Sequence, residues 1–225
     1  FLGIKCQDEL SAHDCTACVA TSFLSNDFGP EGRAKPVVPC ACENDMDSSL
    51  TQLLLSLVNQ GKPAGFGDFR DVEDNLLAIV NCGQHPPAFF GQETATPAQK
   101  LSQTEFLGQE VFYAAGGAAV RGRTGGNQVM TVARLARENG RYYLAATTLD
   151  TVDVDIKEHQ NYNPSWPIIR GRVPMSGQEL ISLWPCNHLG FTYGDVTPEL
   201  VELASRLDIG YRVYDRDGRL HEKVS

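Results

Sequence analysis

The most constraining feature of the chain is a pair of alternating runs on either side of Asn139-Gly140. Gln128 to Arg137 (QVMTVARLAR) and Tyr142 to Thr151 (YYLAATTLDT) both read as strands. Asn-Gly between such runs is the strongest short hairpin signal a sequence carries. Glu110 to Arg121 before the pair and Pro167 to Val173 after it add strand candidates. A helix is expected over Pro198 to Leu207, ending near Gly210, and a last strand over Tyr211 to Tyr214. This part of the chain is expected to be antiparallel, a barrel or a sandwich.

The first third has a different rhythm. Leu2 to Lys5 is a short strand candidate, Ala12 to Leu24 a helix, and Val37 to Cys42 an apolar β-prone run. Asp47-Ser48-Ser49 caps a helix over Leu50 to Asn59, whose leucines at 50, 53, 54 and 57 follow the helical period. Ala64 to Phe69 and Leu76 to Val80 are further strands, the second apolar throughout as a strand buried on both faces would be. Strands alternating with helices imply parallel βαβ units. The expected fold class is therefore α/β followed by antiparallel β: a partial Rossmann-like parallel sheet over residues 1–95, then a barrel-like domain over 96–225 with a terminal helix. The polar stretch Gly91 to Thr104 marks the division. Phe1-Leu2-Gly3-Ile4 reads as a core strand, so the chain is expected to be a fragment or a processed product.

With 19 Lys and Arg against 28 Asp and Glu, the net charge of −9 argues against nucleic acid and against an anionic membrane surface. The longest apolar run, Leu53 to Val58, is too short to span a bilayer. Seven cysteines, an odd count set mostly in apolar segments, point to reduced thiols and a cytoplasmic location.

Three places carry candidate chemistry. Cys42-Glu43-Asn44-Asp45-Met46-Asp47 lies where a strand ends and a helix begins, which suits either helix capping or a ligand site beyond a strand end. Asp68, 25 positions after Glu43, ends the next strand and is either a turn residue or a second carboxylate. Were the two strands adjacent and parallel, the pair could hold a hard divalent cation or act as acid and base. His188, in Trp184-Pro185-Cys186-Asn187-His188-Leu189-Gly190, is either a structural imidazole or the third member of a two-carboxylate, one-imidazole set suited to Mn2+ or Mg2+. A rival is a zinc or iron–sulfur site on Cys15/Cys18 and Cys40/Cys42. Trp166, Trp184 and Tyr193 are either sugar-stacking aromatics or core.

These pieces, in order, resemble the L-fucose isomerase family. The resemblance runs from Ile4-Lys5-Cys6 through Cys15, Cys42-Glu43-x-Asp45 and Asp68. It continues through Asn75 to Pro86 (NLLAIVNCGQHP), the strand pair of Val120 to Tyr143, and Asn187-His188 with Gly194-Asp195. It covers nearly the whole chain and corresponds to the second half of that family, without its amino-terminal α/β region. Two departures stand out: Asn81-Cys82-Gly83 where the family shows His-Cys-Gly, and Asn187-His188 where it shows two histidines. The resemblance implies Mn2+-dependent interconversion of an aldose and a ketose, such as L-fucose or D-arabinose, in a homo-oligomer. It implies Glu43, Asp68 and His188 as metal ligands, with Glu43 and Asp68 as the acid/base pair. Asp45 and Asn187 would stand behind them, Asp45 orienting Glu43 or the helix start. The two departures leave a second expectation, a non-catalytic sugar-binding or assembly module of the same fold.

Overall fold

The computed structural model describes residues 1–6, 10–111, 114, 116–162 and 164–223. In chain order its elements are β1 (Leu2–Gly3), α1 (Ser11–His13), α2 (Cys18–Leu24), β2 (Cys40–Ala41), α3 (Met46–Val58), β3 (Gly65–Glu73), β4 (Leu76–Val80), α4 (Pro97–Ser102), β5 (Glu105–Gly108) and β6 (Ala118–Arg121). Then follow β7 (Val129–Glu138), β8 (Arg141–Thr151), α5 (Ile156–Tyr162), β9 (Ile168–Arg172), α6 (Gly177–Leu183), β10 (His188–Tyr193), α7 (Thr197–Arg206), β11 (Gly210–Tyr214) and β12 (Leu220–Lys223).

The Asn139-Gly140 hairpin forms as expected. Both residues have positive φ, 52° and 78°, and Glu138 pairs with Arg141 across the turn. The ladder continues in order β8-β7-β10-β3-β4-β9, and β9 pairs back onto β8 at Asp150↔Arg172 and Thr151↔Gly171. Every neighbour in this ring is antiparallel, so it is a closed six-stranded barrel. β11 extends the sheet beside β8 in parallel, and β12 pairs with β11. The α/β-then-barrel class holds.

Two strands sit elsewhere than expected. The segments Ala64–Phe69 and Leu76–Val80 are not parallel strands of an α/β sheet but the antiparallel pair β3–β4 of the barrel. The reason is the connection. Only Asp74 and Asn75 separate them, with Asp74 at φ 54°, and a parallel pair needs a crossover of roughly a dozen residues or more. The barrel thus draws two strands from before residue 95. The parallel pairing that does form is β1 with β2, at Leu2↔Cys40 and Gly3↔Ala41. Cys40–Ala41 and β3 are therefore not neighbouring parallel strands. The expected helix over Ala12–Leu24 is broken into α1 and α2. Of the expected strand Glu110–Arg121 only Ala118–Arg121 forms; Phe112, Tyr113 and Ala115 lie outside the described residues.

Strand alternation feeds two cores. Met130 and Val132 of β7 join Leu77, Ile79, Leu149, Ile169, Leu189 and Phe191 inside the barrel. Ala133 and Leu135, the alternate residues, join Leu144, Ala146, Leu200 and Val213, with Leu55 of α3 packed on them. The Phe191 ring lies across β3 at Gly65, where a Cβ would come within 2.2 Å of it, so the close approach requires glycine. Trp184 and Tyr193 are buried in the barrel core, which answers their reading as stacking aromatics in favour of core. Among the described residues no helix is long and apolar enough to cross a membrane.

Candidate functional site

Glu43 lies in a one-turn 3-10 segment, Cys42–Asn44, that leaves β2. Glu43 and Asn44 both have positive φ, 57° and 55°, a conformation that costs a non-glycine residue about 1 kcal/mol. The turn is pinned by hydrogen bonds: the Asn44 N–H donates to the Ile4 carbonyl at 3.1 Å, and the Asp45 N–H to the Cys42 carbonyl at 3.1 Å. Strained backbone held this way is frequent where a side chain must be aimed. The Glu43 side chain stays partly exposed at the rim.

Asp45 is the N-cap of α3 and accepts from the Ser48 N–H at 2.9 Å. The capping reading of the acidic cluster is therefore satisfied by Asp45. The same carboxylate does more. Its Oδ2 accepts from Arg134 Nη1 at 2.6 Å and lies 2.7 Å from His188 Nδ1. Asp45 thus fixes the ring of His188 rather than Glu43.

His188 opens β10, a strand that sequence reading did not foresee, and stands directly across the ladder from Asp68 of β3. Phe66 packs edge-on against the imidazole at 4.8 Å between centroids. With Nδ1 committed to Asp45, Nε2 points away. It is buried and makes no hydrogen bond of ordinary geometry, yet Glu43 Oε2 lies 3.4 Å from it and Asp68 Oδ1 3.5 Å. The barrel ladder and the turn after β2 therefore bring together the three residues expected as ligands.

Asp68 is itself held. Asn81 donates Nδ2–H to its Oδ2 at 3.0 Å, and Asn187 donates to Oδ1 at a long 3.4 Å. Asn81 is buried, and its Oδ1 accepts the Gln84 N–H at 2.9 Å, which settles which end of the amide faces Asp68. Asn81 and Arg134 were absent from the expected site. Arg134 had a signal, a lone cation inside the mostly apolar run VMTVARLA.

The charges follow from this packing. Burial, reinforced by the charge of Glu43, pushes the Asp68 carboxyl up to about 6, against the pull of His188 and Asn81. Burial would also raise Asp45, but hydrogen bonds from His188, Arg134 and Ser48 hold it well below the usual carboxylate range. For His188 burial disfavours the imidazolium, and contacts with Asp45, Glu43 and Asp68 override it, pushing the ring up to about 10. The apposed carboxylates thus favour a positive charge at Nε2.

A sequence model of the family described as "L-fucose isomerase, C-terminal domain" matches residues 79–214, more than half of the chain. The chain belongs to the L-fucose isomerase C-terminal domain family. No curated protein matches it. The family match runs from Ile79, near the end of β4, to the end of β11, and takes in Asn81, Arg134 and His188; Glu43, Asp45 and Asp68 lie ahead of it.

The rival cysteine set is not assembled. Cys15 is exposed while Cys18 is buried, and Cys40 is buried with its thiol pushed up to about 11 by burial. Among the described residues, no three His, Cys, Asp or Glu side chains are gathered as a ready-made metal cage. Glu43, Asp68 and His188 meet instead at ion-pair distances.

Proposed function

We propose that Glu43, Asp68 and His188 form a divalent-cation site serving aldose–ketose isomerisation of a free monosaccharide, with Mn2+ the first candidate and Mg2+ the second. The carrying observation is the buried Nε2 of His188, without an ordinary hydrogen bond and flanked by carboxylates from two separate elements. One imidazole and two carboxylates are a donor set for a hard-to-borderline cation. A cation bound there would polarise the carbonyl of an open-chain sugar such as L-fucose or D-arabinose and offset charge developing on its oxygens.

The chain's own groups have distinct parts in this reading. Asp45 holds the His188 ring through Nδ1, so that Nε2 faces the carboxylates. Asn81 occupies Oδ2 of Asp68 and leaves Oδ1 toward His188. Isomerisation takes a proton from carbon 2 of the aldose and returns one to carbon 1. Glu43 at the rim and Asp68 on the barrel wall are the two groups to take and return it. The family's resemblance adds a homo-oligomeric, cytoplasmic enzyme to the proposal.

The test is titration of Mn2+ by calorimetry, with solvent deuterium exchange into candidate aldoses. One Mn2+ per chain, lost in His188→Ala, together with exchange at carbon 2 that stops in Glu43→Gln, is the expected result. Binding of Mn2+ that ignores His188→Ala sinks the site. Sugar binding without exchange turns the reading to a non-catalytic sugar-binding module.

A further inference from the structure

One arginine beside the candidate site has no acid partner. The exposed Arg137, Arg206 and Arg216 each meet a carboxylate. Arg70 is also exposed, in a chain of net charge −9, yet among the described residues it forms no ion pair and donates no hydrogen bond. What it meets is a ring: its guanidinium carbon lies 5.7 Å from the centre of the Trp166 ring.

The backbone accounts for that placement. The ladder between β3 and β4 pairs Phe69 with Ile79 and then Asp71 with Ala78, so Arg70 is the extra residue of a β-bulge. A bulge re-aims the side chain it carries, and such kinks are frequent beside active sites. Asp68, two residues earlier, stands opposite Val80 in the same ladder. Residues directly opposed in a ladder share a face. Trp166 packs with Val80, Val154 and Ile168, so it lies on the face that carries Asp68. Asp68 and Arg70 thus bound one strip beside Trp166, roughly 7 Å apart along the strand.

The ring also governs how the cation is presented. A guanidinium held against an aromatic face keeps its N–H fork at the edge, and that fork matches a carboxylate with two parallel hydrogen bonds. An open-chain hexose held by its first two oxygens beside Asp68 and His188 has its last carbon about one such strip away. We infer that Arg70 selects the substrate: the site takes an aldose whose last carbon is a carboxylate, an aldouronic acid, with the Arg70 fork on that carboxylate. The inference rests on the cation-site and isomerase reading above. A single fork suits a monoanionic carboxylate; a phosphate ester brings a second negative charge to an already acidic chain and finds one guanidinium to meet it.

The test is calorimetric titration of the full chain, first with Mn2+ and then with open-chain analogues that cannot isomerise. L-Gulonate is set against glucitol and L-galactonate against galactitol, the reduced forms of two uronic acids and their parent sugars. Glucitol 6-phosphate is the phosphate arm. At least one acid is expected to bind about 10–100-fold more tightly than its alditol. Arg70→Ala should abolish that advantage and leave the alditol affinity and the Mn2+ stoichiometry unchanged. Arg70→Lys, which keeps the charge without the fork, should restore only part of it. Acids that bind no better than their alditols in both pairs overturn the inference. An advantage that survives Arg70→Ala also overturns it, since the carboxylate is then on the metal. Glucitol 6-phosphate bound more tightly than either acid overturns the carboxylate assignment. Failure to bind Mn2+ at all falls on the cation site itself and takes this inference with it, whereas the other failures leave that site standing.

Discussion

Oδ2 of Asp45 lies 2.7 Å from Nδ1 of His188, which joins the first turn of α3 to the first residue of β10. The same oxygen takes the Arg134 guanidinium at 2.6 Å, so the carboxylate is gripped from both sides. Asp45→Asn keeps a good N-cap but loses the charge that Arg134 and His188 face. We expect Mn2+ affinity to fall about 10–100-fold, as when a ligand histidine loses its supporting carboxylate. Leaving Arg134 buried without its partner costs roughly 3 kcal/mol. Calorimetric titration and urea denaturation check the two figures, and unchanged Mn2+ affinity would remove Asp45 from the site.

Asp68→Asn is expected to stabilise the metal-free chain. Burial and the Glu43 charge raise the Asp68 carboxyl to about 6, above its ordinary 3.8. The folded state therefore binds this proton more tightly than the unfolded state, and stability is lost as pH rises from about 4 through about 6. At pH 8 the neutral amide avoids that cost, a gain on the order of 1 kcal/mol. Near pH 4 the advantage disappears. Thermal midpoints of both proteins at the two pH values test this, and Mn2+ binding should be lost in the variant.

His85 is expected to make the fold sensitive to acid. It is fully buried, with both ring nitrogens lacking hydrogen bonds, and its ring stands edge-on to Phe191 at 4.9 Å. Burial brings it down to about 3, against 6.5 ordinarily. The unfolded chain takes up this proton first as pH falls, so the contribution is whole above 6.5 and is lost below it. Between pH 7 and pH 5 the loss is about 2 kcal/mol. Denaturation of His85→Gln at both pH values should show a loss smaller by about that amount. An identical pH dependence in the two proteins would dismiss the explanation.

Gly65→Ala puts a methyl group 2.2 Å from the Phe191 ring inside the barrel. Overpacking of this kind costs about 1–3 kcal/mol. Phe191→Leu also destabilises, by lost burial, but in the double variant the smaller side chain makes room for the methyl. The two costs should sum to more than the double variant shows, by at least about 0.5 kcal/mol in urea denaturation.

What the sequence displayed was local. The Asn139-Gly140 hairpin was legible because both turn residues need positive φ and the flanking runs alternate. The carboxylates and the imidazole were legible as residue types beside strand and helix ends. Partners across the barrel were not. Leu76 to Val80 is equally apolar in a parallel sheet and in a barrel strand covered on both sides, and only the two-residue link at Asp74-Asn75 distinguishes them. His188 to Tyr193 has two glycine-length gaps in its neighbourhood, Gly190 and Gly194, and reads as a turn until β3 and β7 flank it. Arg134 stood in plain view, but the acid it meets is 89 positions away.

Closure of the barrel has a consequence for tolerance. In an open sheet an edge strand can slide along its neighbour, and a pair of facing side chains drifts with it. In a ring the offsets between successive strands add to a fixed total, so β3 cannot slide on β10 unless other ladders slide to match. The facing of Asp68 and His188 is therefore a property of the whole circuit, like the mesh of two teeth in a closed gear train. Glu43 belongs to no ladder of that circuit. Its aim is set instead by the short turn that carries it, which the Asn44 N–H holds to the Ile4 carbonyl, so the gap is gauged by two independent pieces of the fold.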